Sequence, residues 1–378
     1  MTITSETASP TVPAQWLRGP LRLGVMWLLL LALSALLAWG LELVHLPAAL
    51  LLGPMAAAIT LAASGLTSAN HVLPRSMGLP RGVFTFAQSV VGTMIATTIP
   101  VETLGSVMLD LPVFLFGVIS VIAASAWLGY VLTKRQVLPG ATAVWGSTPG
   151  AAQAMVFLAE ANGADMRLVA VMQYLRVGMV AAGASLIARF WVGAPDVPPP
   201  PIDWFPAPDL ALLQACGLMA AGMVIGRVFR IPAGEFLSPL LIGTALQALG
   251  LISPEVPHWL LALAFAVIGW TIGLRFTKAI LLHAWKALPR LVFSILLLMT
   301  LCAGFAVVIS FTMDVDLLTA YLATSPGGAD SVAVIAASSD VDIAFVMAMQ
   351  TLRFVLVLIS GPMIAKFVAK KVGALAQG

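Results

Sequence analysis

Ala323-Thr324-Ser325-Pro326-Gly327-Gly328-Ala329-Asp330, with Met349-Gln350-Thr351-Leu352-Arg353 behind it, decides how this chain folds. The stretch lies in a strongly apolar part of the sequence, yet it carries a helix breaker, two glycines, an acid, an amide and an arginine. The first half holds the same device: Gly146-Ser147-Thr148-Pro149-Gly150-Ala151-Ala152-Gln153, then Met172-Gln173-Tyr174-Leu175-Arg176. The offset is constant, so Pro149 matches Pro326, Gly150 matches Gly327, Gln173 matches Gln350 and Arg176 matches Arg353. About a third of the positions from Ser147 to Val180 are identical to those from Thr324 to Val357. Duplicated helix-breaking polar elements in a hydrophobic chain are one way that transporter folds build a substrate site.

Working outward, 60% of residues are hydrophobic and 9% charged, against roughly 45–50% and about 25% in soluble domains. Several apolar runs reach the roughly 20 residues that cross a bilayer. The expectation is an all-α polytopic membrane protein. Six apolar segments are expected in each half: 22–41, 47–66, 83–99, 111–133, 139–160 and 167–190, then 210–229, 232–250, 259–275, 289–312, 317–337 and 342–368. A polar, disordered tail is expected over 1–20, with membrane repeats over 21–192 and 210–370. The linker between them, 193–209, contains Pro198 to Pro201 and favours an extended chain. A second pair of matching motifs supports the duplication: Leu46-Pro47-Ala48 with Gly53-Pro54, and Ile231-Pro232-Ala233 with Ser238-Pro239.

Charge decides the topology. If all twelve segments crossed, Arg227, Arg230, Arg275, Lys278, Lys286 and Arg290 would fall outside, against the positive-inside rule. If the fifth segment of each half enters and returns, they fall inside with Lys134, Arg135, Arg167 and Lys366. Five crossings per half is odd, which gives two inverted repeats of about five transmembrane helices plus one re-entrant or broken Pro-Gly segment each. Irregular backbone at membrane depth needs protein or a wet cavity to satisfy it.

Arg176 and Arg353 lie well inside apolar helices, where a charge costs about 3 kcal/mol or more. Gln173 and Gln350 share their helix faces, three residues earlier. The backbone N–H groups after each Pro-Gly break suit an anion, and an arginine opposite them makes a carboxylate or phosphate clamp. The candidate substrate-binding residues are therefore Thr148, Pro149, Gly150, Gln153, Gln173 and Arg176 in the first half. Ser325, Pro326, Gly327, Gly328, Asp330, Gln350 and Arg353 are their partners in the second. Asp330 replaces Gln153. Either it neutralises Arg353 as a buried structural pair, or it couples a cation, Na+ or H+, to the substrate. Gly53-Pro54 and Ser238-Pro239 read as helix kinks. Asp165 and Asp342 read as helix-starting acids, and Gly178, Gly183, Gly217, Gly222 and Gly226 as close-packing residues.

The four histidines, His45, His71, His258 and His283, fall in expected loops and make no ligand cluster, so no metal is expected. Cys216 and Cys302 make no disulfide framework. No nucleotide-binding or nucleophile motif is present, which argues against an enzyme. No polar stretch is long enough for a DNA-binding module, so direct contact with nucleic acid is not expected. The expected partners are the lipid bilayer and a small solute. A homo-oligomer is compatible with the sequence.

The Thr-Ser-Pro-Gly-Gly…Asp…Met-Gln-Thr-Leu-Arg pattern of Thr324–Arg353, its weaker first copy over Ser147–Arg176, and Leu52-Gly53-Pro54-Met55 resemble the bacterial membrane AbrB-duplication family over nearly the whole chain after Leu21. The first copy departs from the family pattern at Ala151 and Gln153. The resemblance implies an integral inner-membrane protein, and for some members a regulatory role. The monooxygenase label attached to some members finds no support in these residues. Two functions stand side by side. One is a secondary transporter of a small anionic organic solute, working by alternating access. The other is a membrane sensor of gene expression without its own DNA-binding domain.

Overall fold

The computed structural model describes residues 15–43, 48–64, 79–98, 111–150, 152–187, 203–207, 209–231, 233–328, 332, 336 and 341–376. Within them the chain forms α1 (Gln15–Leu43), α2 (Ala49–Ala63), α3 (Arg81–Thr98), α4 (Leu111–Lys134), α5 (Thr142–Ser147), α6 (Ala152–Ala161) and α7 (Met166–Ile187). The second half gives α8 (Leu210–Val228), α9 (Gly234–Ala248), α10 (His258–Gly273), α11 (Lys278–Met313), α12 (Leu317–Thr324) and α13 (Ile343–Ala376). Five of these helices are long and apolar enough to cross a membrane, among them α4, α8, α11 and most of α13.

Three boundaries differ from expectation. The first helix begins at Gln15, inside the stretch assigned to a disordered tail. The basic stretch before Arg290, expected as a loop, is the start of α11. There the Thr277 hydroxyl oxygen accepts from the Ile280 N–H at 3.3 Å, and the alanines, leucines and lysines that follow favour helix. His283 is therefore helical, as is His258 at the start of α10.

The helices sort into two groups that cut across the sequence halves. The first three of each half, α1, α2, α3, α8, α9 and α10, pack on one another as a panel. The remaining elements, α4 to α7 and α11 to α13, pack on one another as a core bundle. The backbones of the two groups approach closely where α10 passes α7. Side chains fill the seam between them. Phe157 on α6 sits with its ring centre 6.0 Å from Phe84 on α3 and 5.2 Å from Phe236 on α9.

Within the panel the halves exchange partners. Gly92 on α3 lies so close to α9 that an added Cβ would stand 2.3 Å from the Phe236 carbonyl oxygen. Gly269 on α10 lies equally hard against α2, its Cβ position 2.8 Å from the Leu51 oxygen. Leu51 and Phe236 hold the same place in the two Pro-Ala motifs. The alanines of those motifs, Ala48 and Ala233, both adopt left-handed backbone, φ 60° and 52°, directly before their helices. Pro54 and Pro239 then sit inside α2 and α9. Of the glycines expected to serve close packing, Gly222 abuts Pro239, Gly226 abuts Gly234 and Gly183 abuts Met299. Gly178 and Gly217 face open space instead.

The fifth segments are hairpins. At the neck of the first, the Asp165 N–H donates to the Thr142 hydroxyl at 3.4 Å, so the start of α5 and the start of α7 share one end of the bundle. The second repeats this, with Asp342 N–H to the Thr319 hydroxyl at 3.1 Å. A continuous crossing would have put those residues at opposite ends. The first hairpin opens from the end where α11 begins, since His283 Nε2 lies 3.2 Å from the Val137 oxygen just before α5. The second opens where α11 finishes, where the Ser310 hydroxyl donates to Val315 O at 2.7 Å. With 36 residues, α11 is about 54 Å long and separates the two necks fully.

Candidate functional site

The two hairpin tips form the site. Each opening half-helix ends at the residue before a proline, because the proline ring disfavours helical backbone there. Thr148 accordingly has φ −63° and ψ 124°, and Ser325 has φ −58° and ψ 134°. Ending a helix frees its last carbonyls, which at this depth have no bulk water to bond.

The glutamine and arginine satisfy them. Gln173 Nε2 donates to Trp145 O at 2.8 Å and Thr148 O at 3.0 Å. Arg176 Nη1 donates to Thr148 O at 2.9 Å and Ser147 O at 3.2 Å, and its Nη2 donates to Gln173 Oε1 at 2.7 Å. The second half matches this bond for bond at four points. Gln350 Nε2 donates to Leu322 O at 2.7 Å and Ser325 O at 3.4 Å, while Arg353 donates to Ser325 O and to Gln350 Oε1. A further bond runs from Arg353 Nη2 to Gly327 O at 3.1 Å. Cations at the carbonyl end of a short helix also offset its dipole.

The terminal guanidinium nitrogens thus bond backbone carbonyls and the glutamine beside them. They do not stand free opposite the next half-helix, as the clamp read from the sequence requires. What remains unpartnered on each arginine is Nε, in side chains only 1% and 4% exposed. Each guanidinium lies within Coulombic range of the other, and the buried Cys302 lies within range of both. Cys302 was not among the sequence candidates. Its apolar surroundings in α11 hide it, and only the tertiary fold brings it to the tips, where Thr324 Oγ1 donates to its carbonyl at 3.2 Å.

The other candidates fall as follows. Thr148 and Ser325 are buried, and their hydroxyls donate back to Val144 O and Leu322 O at 2.7 and 3.0 Å, leaving oxygen lone pairs available. Pro149, Gly150, Pro326 and Gly327 are buried, and Gly328 and Gln153 half-buried. Asp330 lies outside the described residues, and among the described residues neither Arg176 nor Arg353 has an acidic partner within salt-bridge distance. The tips also cross between halves. A Cβ on Gly150 would stand 3.0 Å from Val357 on α13, and one on Gly327 3.0 Å from Val180 on α7. A cavity about the size of one water lies beside Arg176, between Ser147 and Ser294.

Around the hairpin necks, Asp165 and Asp342 act as helix-starting acids. Asp165 Oδ1 accepts from the Arg167 N–H at 3.0 Å and Asp342 Oδ1 from the Phe345 N–H at 2.9 Å. Burial is the largest influence on the Asp165 carboxyl and pushes its pKa up. The hydrogen bond and charge of Arg167, with backbone N–H groups, outweigh burial and leave it below its ordinary value. Among the described residues no group of His, Cys, Asp and Glu could hold a metal ion. Cys216 is exposed and Cys302 buried, and both are free thiols.

An all-helical chain with membrane-length helices and two polar hairpins defines the broad class, an integral-membrane type of protein. The chain belongs to the AbrB family: residues 67–369 match the family model described as "Transition state regulatory protein AbrB". It is 45% identical over 346 residues, covering 91% of this chain and 97% of the relative, to the Escherichia coli (strain K12) protein named "Putative regulator AbrB". It is also 26% identical over 251 residues to "Uncharacterized protein YhjN" of Bacillus subtilis (strain 168), covering 61% of this chain and 64% of that one.

Proposed function

We propose that this chain is a multi-pass inner-membrane transporter of a small anionic organic solute, working by alternating access between two inverted repeats. The observation that carries this is the pair of buried guanidiniums at the two hairpin tips, within Coulombic range of each other and without an acidic partner among the described residues. Two such charges in a low-dielectric interior repel, and an anion between them relieves that cost. The exchanged contacts of Gly92 with Gly269 and of Gly150 with Gly327 support the inverted arrangement, because reciprocal contact is the mark of a two-fold relation. So does the entry of the two hairpins beside opposite ends of α11.

In this reading Arg176 and Arg353 attract the anion by charge and by their Nε edges, while Gln173 and Gln350 hold them in place. The N–H groups that open α6, with those of Gly327 and Gly328, supply donors. Asp330 is the coupling group for Na+ or H+. No covalent step is assigned to any residue. The test is uptake of labelled short mono- and dicarboxylates into proteoliposomes. Uptake should be lost in Arg353→Gln and Arg176→Gln variants that still purify as monodisperse protein. Equal uptake by those variants and the parent removes the anion site.

The family name favours a second reading, a membrane sensor that alters gene expression through a partner. A deletion strain separates the two. If its transcriptional change disappears when the solute is supplied inside the cell, transport is the primary activity. If the change persists, sensing is.

A further inference from the structure

The panel and the core bundle meet along a seam that is apolar in its interior and polar at one end. Inside, the Phe157 ring meets Phe84 edge to face and Phe236 at a tilt of 60°. At the end where α6 finishes, Arg275 from the panel reaches the core bundle. Its Nη1 donates to Glu160 Oε1 at 2.6 Å and contacts Met166 Sδ at 3.1 Å. In return, Arg167 Nη1 donates to the Arg275 carbonyl at 2.7 Å. Asp165 holds Arg167 through both carboxylate oxygens, at 2.9 and 2.7 Å. Among the described residues, the polar bonds between the panel and the core bundle all lie in this cluster.

We infer that the core bundle moves as a unit against the panel, and that Arg275 with Glu160 and Arg167 is the latch holding one end position. This rests on the alternating-access reading and adds to it which parts move. A seam of aromatic faces has no directional bonds to break, so sliding along it is cheap, whereas the hairpins are tied into the bundle at both neck and tip. The latch has the right strength for reversible release. Arg275 and Glu160 are 49% and 31% exposed, and ion pairs of that exposure shift an equilibrium only a few-fold. The latch also sits on the α6 and α7 termini, so its release frees the hairpin bundle without disturbing the tips.

The test uses the full chain in nanodiscs, with Cys216→Ser and Cys302→Ala and spin labels at Glu255→Cys on the panel and Asp314→Cys on the core bundle. Pulsed dipolar spectroscopy should give one dominant distance with the latch intact. Arg275→Ala should raise a second distance, changing the population ratio about fivefold. Glu160→Arg combined with Arg275→Glu should restore the parent distribution. A panel-only pair, Glu255→Cys with Val228→Cys at the far end of α8, should stay single throughout, which separates movement from unfolding. Lys286→Ala, exposed on α11 and outside the cluster, should change nothing. An unchanged distribution in Arg275→Ala, or a second distance equally present in Lys286→Ala, overturns the latch. The readout needs no solute. If the second distance appears and no carboxylate is taken up, the latch stands and the anion reading fails. If carboxylates are taken up and the distribution is unchanged, the reverse holds.

Discussion

Arg353→Lys separates what the arginine does for the hairpin from what its charge does for a ligand. Arg353 meets three acceptors, Ser325 O, Gly327 O and Gln350 Oε1. Lysine keeps the charge but replaces a planar fork with a compact ammonium on a shorter reach. It can hold one of those acceptors well and leaves about two short of a donor. Hydrogen bonds to charged groups are worth about 1.5–3 kcal/mol each, and water cannot replace them at a site 4% exposed. The expected loss is therefore about 3 kcal/mol, felt as easier opening of residues 317–328. At about 1.4 kcal/mol per factor of ten, amide exchange there should rise about 100-fold. Hydrogen-exchange mass spectrometry in nanodiscs reads this directly. The peptide over 142–150, held by Arg176, serves as an internal control and should not change. Equal exchange of 317–328 in parent and variant would refute the capping role. Because the charge remains, Arg353→Lys should still bind an anion more tightly than Arg353→Gln does.

Four further outcomes follow from the packing and charges. Gly92→Ala should lose about 1–3 kcal/mol of stability by thermal unfolding, because its Cβ meets the α9 backbone. Gly178→Ala, facing open space within α7, should gain up to about 1 kcal/mol from helix propensity. The lowered pKa of Asp165 means that its stabilising effect is full above the unfolded value of 3.8 and fades as pH falls through the folded one. Melting curves of parent and Asp165→Asn should therefore differ by less than about 1 kcal/mol at pH 7 and converge as pH falls through the folded value. Finally, single cysteines at Asp203 and Lys286, in a background lacking Cys216 and Cys302, test the inverted topology in intact cells. An impermeant thiol reagent should label the first and spare the second, and the opposite pattern would place the halves in parallel.

Much of this architecture was legible because its causes are local. A proline followed directly by glycine strongly favours ending a helix, so the breaks before Pro149 and Pro326 could be read directly, whereas Pro239 after Ser238 stays inside α9. The same holds for Gln173 and Arg176 sharing a helix face. Charge at the segment ends pointed to a returning fifth segment, and the Thr142–Asp165 and Thr319–Asp342 necks have that form. Other features depend on partners far away in the chain. Nothing near Gly92 indicates that the α9 backbone will press on it, and nothing near Cys302 indicates two arginines. Whether a guanidinium meets a ligand or a carbonyl cannot be read from its spacing either. The break that frees N–H groups on one side frees carbonyls on the other, and the arginines took the carbonyls.

That last point changes what the internal repeat means. Pro149, Gln173 and Arg176 match Pro326, Gln350 and Arg353 because both hairpins face the same physical demand. A helix stopped at membrane depth must have its carbonyls satisfied from within, and the Gln–Arg pair does so with nearly the same bonds in both halves. The matched residues therefore specify the hairpins rather than the solute. Under the proposed transport function, discrimination between ligands would come from sequence positions where the copies differ: Ala151 against Gly328, Gln153 against Asp330, and Tyr174 against Thr351. Two equal caps with unequal linings would then offer one face to an anion and another to its coupling ion. Swapping Gln153 and Asp330 between the hairpins should then move the ion dependence of binding while both hairpins keep their protection from exchange.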